Sequence, residues 1–283
     1  MRCIVFGGTG FLGRRLVNIL SSKHEVLVSS PSSNYPVFFG DGESVKKLIS
    51  DYRPNIVINC SAYADVDGCE NNPLNAYKLN ALGVKEISDS ILEVDKTIRL
   101  VHISTDHIYD SKMASQEDNI SPYNVYAYSK LLGEYYINNP NFIILRTNFF
   151  GKSFSAKDSF TDWIYKNINS NKELNLYDDI YFNPLSVATI EQMILDICKS
   201  YTSGVYNFGS SSYLSKYEFA YLFCKELGIE TKLIKKSKSP DGPGYTKRPK
   251  SMIMSVEKFE KSFKLTMPRL EDEIKRSIKE YKL

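Results

Sequence analysis

An α/β fold built on a doubly wound parallel sheet is the class this sequence predicts, and three observations predict it. Short apolar, β-branched runs recur along the chain; segments of helical period separate them; and the first run opens directly into a glycine-rich turn followed by a helical pattern. That architecture places ligands at the carboxyl ends of its strands.

Strands are read at 2–7 (RCIVFG), 25–29 (EVLVS), 55–61 (NIVINCS), 99–105 (RLVHIST), 142–147 (FIILRT) and 204–209 (GVYNFG). Nearly unbroken apolar runs of this length suit strands covered on both faces. Helical period falls at about 12–22, 43–52, 74–92, 126–138 and 189–202. Past Gly209 the texture changes: SKYE at 215–218 is a capping box opening a helix through about Leu227. The basic stretch from Lys232 to Lys250 reads as a loop flanked by weak strand, and 269–281 (RLEDEIKRSIKEY) as a charged helix. No repeat and no long linker separates independent domains. The expected division is interleaved: a dinucleotide-binding domain over 1–150, to which 184–208 return, and a smaller substrate domain made from 151–183 and 209–283.

With 283 residues, 42% of them apolar and 24% charged, the chain has an ordinary globular balance. A net charge of +3 gives the whole molecule no pull on nucleic acid, so any anion site is local. Cys3, Cys60, Cys69, Cys198 and Cys224 are odd in number and lack paired spacing, which points to reduced, mostly buried thiols. The first fifteen residues resemble neither a signal peptide nor a spanning helix, and no later run is long enough to span, so a cytoplasmic protein without a membrane partner is expected. A homodimer is compatible with the sequence, which leaves oligomeric state open.

Gly7, Gly10 and Gly13 in GGTGFLG follow the first strand and lead into the helical pattern FLGRRLVNIL. Glycines there permit a tight turn, close approach of backbone to a pyrophosphate and near contact of helix with strand. The end of the second strand, VSSPSS, holds Ser29, Ser30, Ser32 and Ser33 and no acid. A 2′-phosphate would meet hydroxyls there without repulsion, with Arg14 and Arg15 as candidate further contacts. NADP(H) is therefore favoured, and NAD(H) stays open. Asp41 is read either as an acceptor for the adenine amine or as a turn cap.

Tyr126 and Lys130 lie at i, i+4 on one helix face. A phenol with pKa about 10 is a poor proton shuttle at neutral pH; a neighbouring ammonium and a cationic nicotinamide favour its ionised form. A second such pair, Tyr221 and Lys225, sits in a packed helix far from any strand end. Around the first pair, VHISTDHIYD puts Ser104, Thr105 and Asp106 at a strand terminus about twenty residues upstream, where a hydroxyl can steady a substrate oxygen.

At this point the chain resembles the extended short-chain dehydrogenase/reductases, which share a Rossmann core, and within them the dTDP-4-dehydrorhamnose reductases. The resemblance runs nearly end to end, through GGTGFLG, RPNIVINCSAYADVDGCENNPLNAYKLNALGV, STDHIYD, SPYNVYAYSKLLGE, RTNFFG and RPKSMIMSVEKFEK. It implies a catalytic trio of Thr105, Tyr126 and Lys130. Cofactor contacts would fall on Gly7, Gly10, Phe11, Leu12, Gly13, the Ser30 region, Asp41, Ala62, Tyr63, Ala64 and Ile103, with Tyr126 and Lys130. The implied activity is reduction of a nucleotide-linked 4-keto-6-deoxy sugar, with a nucleotide-diphosphate-sugar as the small-molecule partner; Thr105, Asp106, Phe149 and Arg248 would meet that substrate.

Three departures bear on the sugar: Phe149 stands where related reductases carry tryptophan, Ala64 where they carry threonine, and SVATIE replaces their VxDLA signature. His107 stands where a 4,6-dehydratase of the superfamily has its glutamate, so dehydration lacks its proton donor; His107 is otherwise read as a hydrogen-bonded structural residue, as are His24 and His102. Seven cations between 231 and 250, Arg248 foremost, could clamp phosphates or simply be solvated. Asp65, Asp67 and Glu70 are read as capping, and no metal is expected. Two other functions stay in view: a nucleotide-sugar epimerase with a recycling NAD, and a non-catalytic regulatory subunit that keeps the cofactor site.

Overall fold

In the computed structural model, residues 1–200, 202–242 and 244–282 are described. In chain order the first elements are β1 (Arg2–Phe6), α1 (Phe11–Ser21), β2 (Glu25–Ser29), α2 (Glu43–Tyr52), β3 (Ile56–Asn59), α3 (Val66–Asn71) and α4 (Pro73–Tyr77). A π-helical turn, Lys78–Leu82, then runs into α5 (Gly83–Val94), followed by β4 (Arg99–Thr105), α6 (Val125–Tyr135) and β5 (Phe142–Thr147). Next come β6 (Phe149–Phe150), α7 (Phe160–Asn169), β7 (Leu174–Tyr177), β8 (Tyr181–Phe182), β9 (Leu185–Ser186), α8 (Val187–Lys199) and β10 (Gly204–Phe208). The chain ends with β11 (Leu214–Ser215), α9 (Lys216–Leu227), β12 (Ile234–Ser237), β13 (Ser251–Met252), α10 (Glu257–Phe263) and α11 (Leu270–Ser277).

The six apolar runs form one sheet in the order β2-β1-β3-β4-β5-β10. β1 is parallel to both β2 and β3, and β3 is parallel to β4. Chain direction across the sheet reverses between β2 and β3, so the switch point lies at the carboxyl ends of β1 and β3, where such sheets take their ligands. Register puts Phe6 opposite Asn59 and Asn59 opposite His102, which lines up the strand ends that frame the site.

Two compact units result. The first gathers Met1–Thr105, Tyr123–Arg146 and Ile194–Tyr206; the second gathers Asp106–Pro122, Thr147–Met193 and the chain from Asn207. The sequence division differs from them at 106–122, 147–150, 184–193 and 207–208. For 106–122 the reason is hydrogen bonding to the chain at 250–253: the Asp110 carboxylate accepts from the N–H groups of Lys250 and Ser251, and Ser115 N–H donates to the Ile253 carbonyl.

Ile4, Phe6, Val57, Ile87, Ile91 and Leu100 belong to the core of the first unit. In the second, Phe150, Phe182, Phe219 and Phe223 pack with Leu270 and Ile274, and the Phe150 and Phe219 rings meet edge to face at 4.7 Å. Glu273, fully buried, fixes α11 by accepting from Ser186 N–H, Ser186 Oγ and Thr189 Oγ1.

The single helix read at 74–92 is broken, and a further helix, α3, precedes it. Asn72 accepts from Asn75 N–H and Pro73 takes the first helical position, restarting the helix after α3; the π turn then shifts the register once more. The helix read to 202 ends at Lys199, and Tyr201, like Pro243 of the basic stretch, lies outside the described residues. Among the described residues no helix is long and apolar enough to cross a membrane.

Candidate active site

Gly7 leaves β1 with φ +73°, and a β-carbon there would stand 2.6 Å from Ser61 N. A β-carbon on Gly13 would stand 2.2 Å from the Gly7 carbonyl oxygen, so the first turn of α1 rests directly on the glycine turn. Gly10 N–H donates to that same carbonyl at 3.0 Å and starts α1 with no capping side chain; Leu12 is buried and Phe11 half-buried. The start of such a helix directs N–H groups and the positive end of its dipole at whatever lies before it, which suits a pyrophosphate. A dinucleotide fits this turn, and a side chain at Gly7 or Gly13 would force it open, because its β-carbon would collide with the backbone of Ser61 or of Gly7.

At the end of β2 the hydroxyls cluster. Thr9 Oγ1 donates to Ser30 Oγ at 3.0 Å, Ser32 Oγ lies 3.4 Å from Thr9 Oγ1, and Ser33 Oγ accepts from Ser30 N–H at 2.9 Å. Arg14 is exposed, whereas Arg15 is buried. Asp41 Oδ1 accepts from Ser44 N–H and Ser44 Oγ just before α2, so that oxygen serves the turn.

The segment after β3, with Ala62, Tyr63 and Ala64, is clamped by Asn80 from the π turn. Asn80 Oδ1 accepts from Tyr63 N–H at 2.7 Å, while Nδ2 donates to the Tyr63 carbonyl and to Ser129 Oγ, both at 3.0 Å. Asn80→Ala strands a backbone donor and acceptor together; a loss of about 2–3 kcal/mol is expected in urea denaturation, and an unchanged midpoint would mean that the clamp is redundant.

Asn124 caps α6 by accepting from Ala127 N–H at 2.8 Å, and Glu70 of α3 accepts from Val125 N–H at 2.7 Å. Of the acidic stretch read as capping, Glu70 thus serves α6, and Asp65 caps α3 by accepting from Gly68 N–H. Tyr126 in the first turn of α6 is half-buried. One turn on, Lys130 is 1% exposed and donates from Nζ to the Ile103 carbonyl at 2.7 Å, two residues before buried Thr105 at the end of β4. Burial pushes Lys130 down to about 8, against the raising influence of Glu134 and Cys60. Further along α6, Glu134 forms a buried ion pair with Arg146 of β5 at 2.6 Å and accepts from Ser104 Oγ.

That depression has a stability consequence. Folded Lys130 loses its proton near pH 8 and unfolded lysine near 10.5, so between these values the unfolded chain binds more protons and stability rises with pH. The unfolding free energy of the parent minus that of Lys130→Met is expected to climb by roughly 3 kcal/mol across the window from pH 8 to 10.5. Urea titrations of both proteins at several pH values measure it; a flat or falling difference would contradict it.

In the second unit, Asp106 is buried and accepts from Asn148 Nδ2 at 2.8 Å, and half-buried Phe149 begins β6, paired with Leu185 of β9. His107 is pushed down to about 3 by burial, with Lys216 and Arg248 adding to it, and is therefore neutral. Lys216 escaped the sequence reading. It opens α9 behind the predicted capping box of Ser215 and Glu218, and its amine stands 3.4 Å from the Phe182 ring centroid and 4.8 Å from that of Phe160. Burial pushes it down to about 8, with Asp106 opposing and Arg248 reinforcing. Basic-loop cations meet acids: Lys232 pairs with Glu230, Lys235 with Glu173, Lys238 with Asp178 and Lys250 with Asp179. Tyr221 is exposed and near-parallel to Tyr217 on α9.

Two residues were missed as site components: His102, which the structure places against Lys130, and Asn59, which lies against His102. His102 had been read as purely structural. The available signal was periodicity: His102 and Ser104 share one face of β4, Lys130 and Glu134 share one face of α6, and these faces meet.

A glycine turn at the switch point of a doubly wound sheet, with a Tyr/Lys helix against its fourth strand, is the layout of the extended short-chain dehydrogenase/reductases, which are NAD(P)-dependent oxidoreductases. The family model described as RmlD substrate binding domain matches residues 1–283, and the chain belongs to that family. It is 28% identical over 290 residues to a probable low-salt glycan biosynthesis reductase, Agl14, of Haloferax volcanii, covering 97% of this chain and 96% of the relative. It is 26% identical over 298 residues to dTDP-4-dehydrorhamnose reductase of Escherichia coli K12, covering 99% and 98%. The crystal structure of a dTDP-4-dehydrorhamnose reductase, an RfbD orthologue of Clostridium acetobutylicum, superposes with a TM-score of 0.88 at 26% identity over 100% of both chains.

Proposed function

We propose that this protein reduces a nucleotide-linked 4-keto-6-deoxy sugar with NADP(H), in the making of deoxysugars for cell-surface polysaccharide. The observation that carries the reading is Lys130, buried, with its amine on the Ile103 carbonyl beside the end of β4 and Tyr126 one turn away on the same helix. The similarity to dTDP-4-dehydrorhamnose reductases supports the substrate class. Serine and threonine hydroxyls at the end of β2, with no carboxylate among them, support NADP(H) over NAD(H).

NADPH, when bound, supplies the hydride that reaches C4 of the sugar. Gly7, Gly10, Phe11, Leu12 and Gly13 receive its pyrophosphate, Thr9, Ser30 and Ser32 its adenosine side, and Ala62 to Ala64 and Ile103 line its path. Tyr126 gives its phenolic proton to the C4 oxygen as that oxygen gains negative charge. Thr105 donates a hydrogen bond to the same oxygen and fixes its position. Lys130 holds the nicotinamide ribose and favours the phenolate left on Tyr126. Asp106, Phe149 and Arg248 are the residues that the family resemblance assigns to the sugar and its phosphates.

Screening a small panel of nucleotide 4-keto sugars for NADPH oxidation tests the reading. One NADPH consumed per keto sugar reduced is expected. Interconversion of sugars without net NADPH loss would make the protein an epimerase, and no reaction across the panel would overturn the assignment.

A further inference from the structure

Behind Lys130 lies a buried row of polar side chains that the reduction itself does not require. Asn59 and His102 are register partners on β3 and β4, 1% and 0% exposed, and Asn59 Nδ2 lies 3.2 Å from His102 Nδ1. His102 Nε2 in turn lies 3.4 Å from Lys130 Nζ. Asn59 Oδ1 already accepts from Ser61 N–H at 3.0 Å and from Ser61 Oγ. That backbone donor fixes the amide, because the flipped orientation would set NH2 against N–H in a buried place. The amide nitrogen therefore faces the imidazole, Nδ1 must accept, and the ring proton sits on Nε2, pointing at Lys130.

An N–H aimed at an ammonium is a clash of donors; aimed at a neutral amine it is a hydrogen bond. We propose that the Ser61–Asn59–His102 row is a positioning device for Lys130, which holds the imidazole as its Nε2–H tautomer and thereby disfavours the ammonium form of the lysine. His102 is a positioning residue here, since it acts through Lys130. The groups facing Lys130 from neighbouring elements fit the assignment. Glu134, on its own helix, is committed to Arg146 and Ser104; the Cys60 thiol at the end of β3 is pushed up to about 12 by burial and stays neutral; buried His102 lies well below the usual histidine range. With the amine and ammonium forms of Lys130 close in energy, Tyr126 can remain a phenol before hydride transfer. This consequence rests on the proposed reductase chemistry; the tautomer and the titration do not.

Two measurements without substrate test the device. The chain has three histidines, so two-bond 1H–15N correlation spectra of 15N-histidine protein, with His107→Gln and pH titration of His24 for assignment, reveal the His102 tautomer directly. A proton on Nε2 is expected, and a proton on Nδ1 overturns the proposal. Second, ε-13C-lysine spectra, with Lys130→Met for assignment, give the Lys130 midpoint in the parent and in His102→Gln, whose carbonyl can accept from the amine. The midpoint is expected to rise by about one unit in the variant; an unmoved midpoint in a folded variant overturns the proposal. Neither result depends on turnover, so failure of the reductase reading would appear separately, in the NADPH screen.

Discussion

Tyr126→Phe is expected to lower kcat about 10³-fold, within the range usual for losing a positioned general acid, while NADPH binding persists. The substitution removes one oxygen from a half-buried side chain and leaves its helix anchored. Asn124 still caps α6, Glu70 still holds Val125 N–H, and Lys130 still donates to Ile103, so a fall in rate reports on the phenol itself. Steady-state NADPH oxidation gives kcat, and cofactor fluorescence gives the NADPH dissociation constant, which is expected to change by less than about threefold. A variant with undiminished turnover would assign the proton to another group. Cofactor binding without turnover in the parent would favour the regulatory-subunit reading.

The largest stability effect is expected at the Glu134–Arg146 pair, whose side chains are both 4% exposed. Arg146→Met leaves the Glu134 carboxylate buried beside the neutral donor Ser104 Oγ, and costs about 3–5 kcal/mol, the range for breaking a buried pair from one side. The pair itself is not thereby a strong stabiliser. Replacing Glu134 by Leu as well removes the stranded charge, and the double variant is expected to regain most of the loss. Urea denaturation of the two single variants and the double closes the cycle; a single-variant loss under about 1 kcal/mol would mean that water reaches Glu134.

The sheet was legible because its strands are runs of mostly apolar residues, the inner ones covered on both faces, and the register of those strands then sets where β1, β3 and β4 end. The helix at 43–52 was read to its observed bounds for a similar reason, since its apolar positions recur at the helical period. The region of 66–94 was less legible. Pro73 behind Asn72 restarts a helix in the middle of an unbroken pattern, and the π turn that aims Asn80 at Tyr63 leaves no mark on hydrophobic period. In the second unit, β6, β8, β9, β11 and β13 are two residues long, too short for any alternation to show.

Within the candidate site, the glycine turn and the Tyr/Lys pair are local motifs and could be read directly. Lys216 and His102 could not. Lys216 gains its setting from Phe160 and Phe182, more than thirty positions away, and His102 sits at an inward position of a strand that reads simply as core. Charge counting likewise failed to separate the loop cations, because Glu173, Asp178 and Asp179, which meet three of them, come from a different stretch of chain.

A crystal structure of the protein with NADP+ bound is the most direct measurement. The expected result has the pyrophosphate at the Gly7–Gly13 turn, Lys130 Nζ within about 3 Å of a nicotinamide-ribose hydroxyl, and the Tyr126 phenol and Thr105 hydroxyl opening onto one space beside the nicotinamide ring. A ring bound elsewhere, or these three side chains opening into separate cavities, would contradict the proposed chemistry.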